Sequence, residues 1–313
     1  MARFTDRATQ PARGPADIFR WRVLDRLPGR RRPRADDHAA LDEVRPAVRP
    51  GGAAALAAGA PTACWVGHAS WMVRTGGLLL AIDPIFSATI QGVVRRLVPP
   101  GVALAELPPV DAVLVTHDHM DHMDLPSLRA LGDRPTYVVP LGNGPRIARL
   151  GARTVVELDW WQSHVLGDVT ITLVPARHWS MRAPWNRNQS LWGGYVIRSN
   201  DGVLYHSGDT AGGDHFAEIG ARLGPIDWAM LPIGAYEPRW FMEPQHCDPD
   251  DAGAGFLALG ARHFLAMHWG TFRLTDEPVG EPPARLRAFW ERHGLPAERL
   301  WLLDVGEARP LRR

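Results

Sequence analysis

The sequence predicts an α/β fold in which sheets lie inside and helices outside, on three observations. After residue 60 the chain is a series of short apolar runs separated by turn signals. Paired strands come first, and strands alternating with helical stretches follow. Several apolar runs end on His or Asp, at the strand ends where loops carry chemistry. The 313 residues are 45% hydrophobic and 22% charged, which suffices for one large α/β unit.

Residues 1–60 form a lead-in rich in Arg, Pro, Gly and Ala, expected to be partly ordered, with GRRRPR at 29–34. Its charge fits a solvated segment. With FRWRVLDRL (19–27) it also fits an arm lying on anionic lipid headgroups. The start has positive charge but no apolar stretch after it, so no secretory signal is expected, and no run approaches the ~18 apolar residues of a membrane span. Two cysteines, Cys64 and Cys247, are too few for a disulfide framework. The expected location is the cytoplasm, with peripheral contact to the inner face of the membrane through the arm and residues 88–101.

The main folded domain is expected over 61–313. ACWVGHASWMVR (63–74) and LLLAID (78–83) read as two strands joined at Thr75-Gly76-Gly77. DAVLVTHD (111–118) is a buried strand running into a loop, and LPSLRAL (125–131) a short helix. TYVVP (136–140) and TVVEL (154–158) are strands flanking a helix over GPRIARLG. VTITLVPA (169–176), GGYVIRS (193–199) and VLYHSGD (203–209) are strands, the last two joined by Asn200-Asp201-Gly202. DHFAEIGARLG (214–224), DPDDAGAGFLALGA (248–261) and EPPARLRAFWERHG (281–294) are helices. DWAMLPIGA (227–235) and HFLAMHWG (263–270) are strands.

The formal net charge of +1 gives no reason to expect nucleic acid as a partner. All 35 basic residues are arginine, so a Schiff-base lysine and a GxxxxGK phosphate loop are excluded.

VTHDHMDHMD (115–124) packs three His and three Asp into ten positions. It is either a polar surface loop or half of a metal site. His117 and His119 alternate along the loop, and Asp121 with His122 forms a second pair. Four close donors crowd a single ion that must keep an open position. Split two and two over adjacent ions, each pair needs one more distant His, and a bridging carboxylate would hold the ions about 3.5–4 Å apart. His178, Asp209 and His268 each end an apolar run and supply those groups. Zinc, manganese and iron all accept this donor set. His68 is balanced between a hydrogen-bonded core residue and a residue that orients a ligand. His246, just before a helix, is placed to reach the site.

These residues resemble the metallo-β-lactamase fold of binuclear hydrolases. Further strings, among them WVGHASWMV, AIDPIFS, LVPARHWS, GAYEPRWFM and HWGTF, are similar to N-acylphosphatidylethanolamine-hydrolysing phospholipase D, in order over about 63–308. The resemblance implies an αββα sandwich with two Zn(2+) ions. His117, His119 and His178 would bind one, Asp121, His122 and His268 the other, and Asp209 would bridge. It also implies hydrolysis of N-acylphosphatidylethanolamine-like lipids to phosphatidic acid and N-acylethanolamine by a metal-bound hydroxide. Asp121 and Asp209 would be catalytic, and His246 would protonate the leaving alcohol. Trp160, Trp161, Tyr236 and Trp240 are candidates for substrate contact. The chain departs from the family at Met120, where an aromatic is common, and at Ala211-Gly212-Gly213 after GDT. A lactonase or phosphodiesterase acting on a small soluble substrate is the alternative, and a non-catalytic metal protein a third reading.

Overall fold

The computed structural model describes residues 3–8, 13–27 and 38–313. The GRRRPR cluster at 29–34 lies outside the described residues.

Strands β1 (Thr62–Gly67), β2 (Ser70–Thr75) and β3 (Leu78–Ile82) form a meander, followed by a small hairpin of β4 (Thr89–Ile90) and β5 (Val94–Arg95). Next come β6 (Ala112–Leu114), β7 (Thr136–Pro140) and β8 (Thr154–Leu158). The second half holds β9 (Ser163–Leu166), β10 (Val169–Val174), β11 (Gly194–Ser199), β12 (Gly202–His206), β13 (Trp228–Pro232), β14 (His263–Met267), β15 (Leu300–Trp301) and β16 (Ala308–Pro310). Two seven-stranded sheets result, ordered β16-β1-β2-β3-β6-β7-β8 and β15-β14-β13-β12-β11-β10-β9.

The helices are α1 (Pro15–Arg22), α2 (His38–Glu43), α3 (Gly52–Ala57), α4 (Leu125–Leu131), α5 (Gly144–Ala148), α6 (His215–Leu223), α7 (Arg239–Met242), α8 (Pro249–Leu259) and α9 (Glu281–Arg292). Asp124 caps α4 by accepting from Ser127 N, and Asp248 caps α8 by accepting from Asp251 N.

The period-two pattern explains the layering. In the first sheet Trp65, Trp71, Val73, Leu80, Ile82, Leu114 and Val138 enter the core shared with the second sheet. Their neighbours Val66, Met72, Leu79, Ala81, Val113 and Val139 pack the other way, against Leu56, Leu128 and Ile147 from α3, α4 and α5. Both faces are buried, so the runs read as continuously apolar. On the far side, Phe256 of α8 and Trp290 of α9 meet Phe264 of β14. Trp65 and Trp71 are fully buried; truncating either to Ala costs about 3–5 kcal/mol.

One expectation is corrected. Residues 63–74 are two strands, not one, because the chain turns at His68, whose φ is 56°. A histidine in a left-handed backbone gives no periodicity signal. The two-residue strands β4, β5 and β15 were equally silent, as they bury too little to show a pattern.

Described residues ahead of 61 lie against the domain. Phe4 is buried and its N–H donates to Asn188 O, and Trp21 of α1 packs on Phe241.

Strand direction positions the site. β1 and β3 run the same way, each antiparallel to β2, and β6 runs parallel to β3. In the second sheet β10, β12, β13 and β14 share one direction. The residues that follow β1, β3, β6, β10, β12 and β14 meet at one end of the sandwich.

Candidate metal centre

Each functional side chain sits just past a strand. His117, His119, Asp121 and His122 lie on the loop after β6, whose turn is closed by Met123 N donating to His119 O. His178 follows β10, Asp209 follows β12 and His268 follows β14.

Two clusters form, His117, His119, His178 and Asp209, and His68, Asp121, His122 and His268; within each, the potential donor atoms lie within 4.8 Å of one another. All seven residues proposed from the sequence are therefore brought together. Asp209 faces both groups. Its Oδ2 stands 3.9 Å from His117 Nε2 and from His178 Nε2, and 3.1 Å from His122 Nε2. Its Oδ1 stands 3.2 Å from His268 Nε2.

The donor chemistry fits divalent ions. Ligand atoms about 2.0–2.2 Å from a shared tetrahedral ion stand roughly 3.4 Å apart. Here His117 Nε2 and His119 Nδ1 are 2.8 Å apart, and His122 and His268 each approach Asp121 Oδ2 at 3.7 Å. His122 Nε2, His268 Nε2 and Asp209 Oδ1 are buried without a hydrogen-bond partner, atoms that a cation would satisfy.

Three rings are fixed through Nδ1 with Nε2 aimed inward. His178 Nδ1 donates to Gln245 O at 2.9 Å. His122 Nδ1 donates to the Asp83 carboxylate at 2.7 Å. The Thr116 hydroxyl donates its one proton to Asp83 at 2.6 Å, so it accepts from His117 Nδ1 at 3.0 Å. Such partners orient ligating histidines. Asp83 was missed as a site residue, although LLLAID ends on it as HFLAMH ends on His268.

The charges follow. Burial pushes His117 well below its ordinary value, His119 down to about 4 and His178 to about 3. Burial opposes charge at His122 and His268 too, but Asp209 and Asp121 overturn it, holding His122 well above its ordinary value and His268 at about 9. Burial would raise Asp209 and Asp121; the charge of His122 overturns it and holds both well below the carboxylate range. Without a cation, protons occupy part of its place.

His246 reaches the centre, its ring 5.1 Å from that of His178 and 5.6 Å from that of His268. Burial lowers it to about 3, so it is neutral rather than a stored imidazolium. The substrate candidates fare unevenly. Tyr236 is fully buried and its hydroxyl donates to Glu281 at 2.6 Å, leaving no face for a substrate. Trp160 donates to Trp192 O, and Trp161 lies under Arg222. Trp240 packs with Trp21 and Phe241. Met120 packs with Ile85, Ile90 and Phe272, and accepts from Gln91 at the tip of the β4–β5 hairpin.

Fold and site together define a domain of metallo-β-lactamase type with a candidate centre for metal ions. Residues 80–269 match the model of the beta-lactamase superfamily domain, and the chain belongs to that superfamily. An uncharacterized Mycobacterium tuberculosis protein is 40% identical over 240 residues, 72% of this chain and 62% of that protein, so the chain spans less than two thirds of that relative. The N-acyl-phosphatidylethanolamine-hydrolyzing phospholipase D 1 of Caenorhabditis elegans is 36% identical over 264 residues, 78% of this chain and 74% of that protein. A metal-dependent hydrolase of Nitratidesulfovibrio vulgaris is 30% identical over 252 residues, 80% of this chain and 95% of that protein. The structure of Igni18, a metallo hydrolase of Ignicoccus hospitalis, superposes with a TM-score of 0.63 at 22% identity, covering 80% and 97% of the two chains; that likeness shows the fold.

Proposed function

We propose that the chain is a binuclear, zinc-dependent phosphodiesterase of phospholipase D type, releasing phosphatidic acid and an N-acylethanolamine from N-acylphosphatidylethanolamine-like lipids. The observation that carries the two-ion reading is Asp209, which stands between the two clusters, its Oδ2 3.9 Å from His117 and His178 of one and 3.1 Å from His122 of the other, and its Oδ1 3.2 Å from His268. The lipid reading is supported by the 36% identity to the worm phospholipase. His117, His119 and His178 would hold one ion, Asp121, His122 and His268 the other, with Asp209 between them. Two bound zinc ions would make a water acidic enough to ionise near neutral pH and would stabilise charge on the phosphoryl oxygens.

The chain's own residues do the rest. Asp83, Thr116 and Gln245 O keep three imidazoles in the tautomer that presents Nε2. His246, with its Nδ1 buried and unpartnered among protein atoms, is our candidate to hydrogen-bond the departing alcohol oxygen, the proton coming through water.

For access to lipid we propose peripheral contact through α1 and the β4–β5 hairpin. Ile18, Phe19, Val23 and Leu27 are exposed at and after α1, as is Val93 at the hairpin tip. Arg22 donates to Leu274 O, and Leu274 packs in the cluster under the hairpin, so the two elements lie beside the same loop. No helix among the described residues is long and apolar enough to cross a membrane.

The test is a panel of N-acylphosphatidylethanolamine micelles, a lactone and bis-p-nitrophenyl phosphate on zinc-replete protein, with products identified by mass spectrometry. Phosphatidic acid and N-acylethanolamine are expected. Turnover of the soluble esters alone would sink the lipid reading and favour a small-substrate hydrolase. Asp209→Asn should abolish turnover while keeping the fold; retained turnover removes Asp209 from its role.

A further inference from the structure

His68 lies inside the second cluster, where a ligand is expected, yet its contacts are of another kind. We propose that His68 is a positioning residue: its side chain fixes Asp121 and its main chain fixes His268, so the turn between β1 and β2 builds the second ion's site. The inference rests on the binuclear reading above.

Distances separate the two roles. His122 and His268 both stand 3.7 Å from Asp121 Oδ2, too far for a hydrogen bond and suited to donors sharing an ion. His68 Nε2 stands 2.9 Å from the same oxygen, the length of a charge-assisted hydrogen bond. A carboxylate only accepts, so this nitrogen carries the proton and has no lone pair left for a metal. The donor count agrees. With His68 as a ligand, the second ion would have Asp121, His122, His268, His68 and Asp209, five protein donors around a position that must admit water and substrate.

The main chain of His68 does as much as the ring. Its carbonyl accepts from His268 N at 3.0 Å and from Trp65 Nε1 at 2.9 Å, and its N–H donates to Thr271 Oγ1 at 2.7 Å. His68 and His268 both adopt left-handed backbone, with φ of 56° and 64°. Conformations this costly persist where surroundings over-determine them, and cluster at functional sites. Here the two strained residues are bonded to each other. The His68 ring lies 4.0 Å from that of His268, tilted by 43°, and meets Phe272 edge-on at 5.3 Å, so both neighbours hold it toward Asp121.

The test uses the full chain freed of metal by chelation and titrated with Co(2+), read by visible absorption and by competition with a chromophoric chelator. Wild type should take up two ions. His68→Ala should keep the affinity of the first ion and weaken the second about 10–100-fold. His68→Gln can still donate an N–H to Asp121; it should recover most of that loss, and its loaded spectrum should match wild type because no ligand has gone. His68→Ala binding both ions as tightly as wild type would overturn the inference. So would a His68→Gln spectrum shifted by loss of a nitrogen ligand. Should His68→Ala fail to fold, the His68→Gln affinity and spectrum decide alone. Wild type binding fewer than two ions would overturn both the inference and the binuclear reading.

Discussion

Asp83 lies one step behind the centre, and replacing it with asparagine changes one atom in shape and everything in hydrogen bonding. The carboxylate accepts from Thr116 N at 2.7 Å, from the Thr116 hydroxyl at 2.6 Å and from His122 Nδ1 at 2.7 Å. In Asp83→Asn the fixed backbone N–H of Thr116 keeps the amide oxygen at Oδ1. The amide NH2 then takes the place of Oδ2 and points at His122. To avoid meeting a donor with a donor, His122 must move its proton from Nδ1 to Nε2. That is the atom 3.1 Å from Asp209, and with a proton on it the lone pair for the second ion is gone. Loss of a hydrogen bond to a charged group costs about 1.5–3 kcal/mol. Loss of a residue that orients a metal ligand costs about 10–100-fold in affinity, or ~1.4–2.7 kcal/mol. The two estimates overlap, so a tenfold or greater weakening of the ion at His122 is the expectation. Calorimetric zinc titration of chelator-treated wild type and Asp83→Asn reads it, with circular dichroism as the fold control. Equal affinity for both ions in a folded Asp83→Asn would refute the tautomer argument.

Two further outcomes are expected. In the metal-free chain His268 holds its proton up to about 9 and His122 well above the ordinary 6.5. Because these folded values are raised, the stability they contribute is whole below the unfolded value and is lost as pH climbs toward 9. The melting temperature of chelated protein should therefore fall between pH 6.5 and 9, and saturating zinc should remove the fall; a flat or rising profile without metal would contradict it. Gly208 has φ of 60°, and a Cβ there would stand 2.8 Å from Gly193 O and from Thr116 Cβ. Gly208→Ala should cost about 1–3 kcal/mol and loosen the adjacent Asp209; an unchanged melting temperature and zinc affinity would show that the backbone there adapts freely.

Seven candidate ligand positions stand out in the sequence because a metal site demands residue types that packing does not, and the fold brings them together. His178, Asp209 and His268 end runs of apolar residues, where nothing but chemistry favours them. Asp83 ends LLLAID in the same manner but passed unnoticed, since a lone strand-end Asp followed by Pro84 equally fits a turn. His68 stayed ambiguous for a different reason. Its role depends on a left-handed backbone and on a contact 53 positions away, and neither leaves a local trace. Tyr236, an aromatic beside a conspicuous motif, looks available in the sequence, whereas in the fold it is buried with its hydroxyl bonded to Glu281. Sheet membership was also hidden, as the order β16-β1 pairs the last strand with the first across the whole chain.

The proposed ligands divide between the two sheets. Four come from the loop after β6 in one, and three follow β10, β12 and β14 in the other. An ion held between them is a cross-brace, and parting the sheets means releasing it. At a thousand times the dissociation constant, each such ion deepens the folded state by about 4 kcal/mol. The lifetime of the chain under heat or proteolysis then becomes a function of metal supply. A cell short of the ion would clear the protein faster, without any change in its sequence or its synthesis.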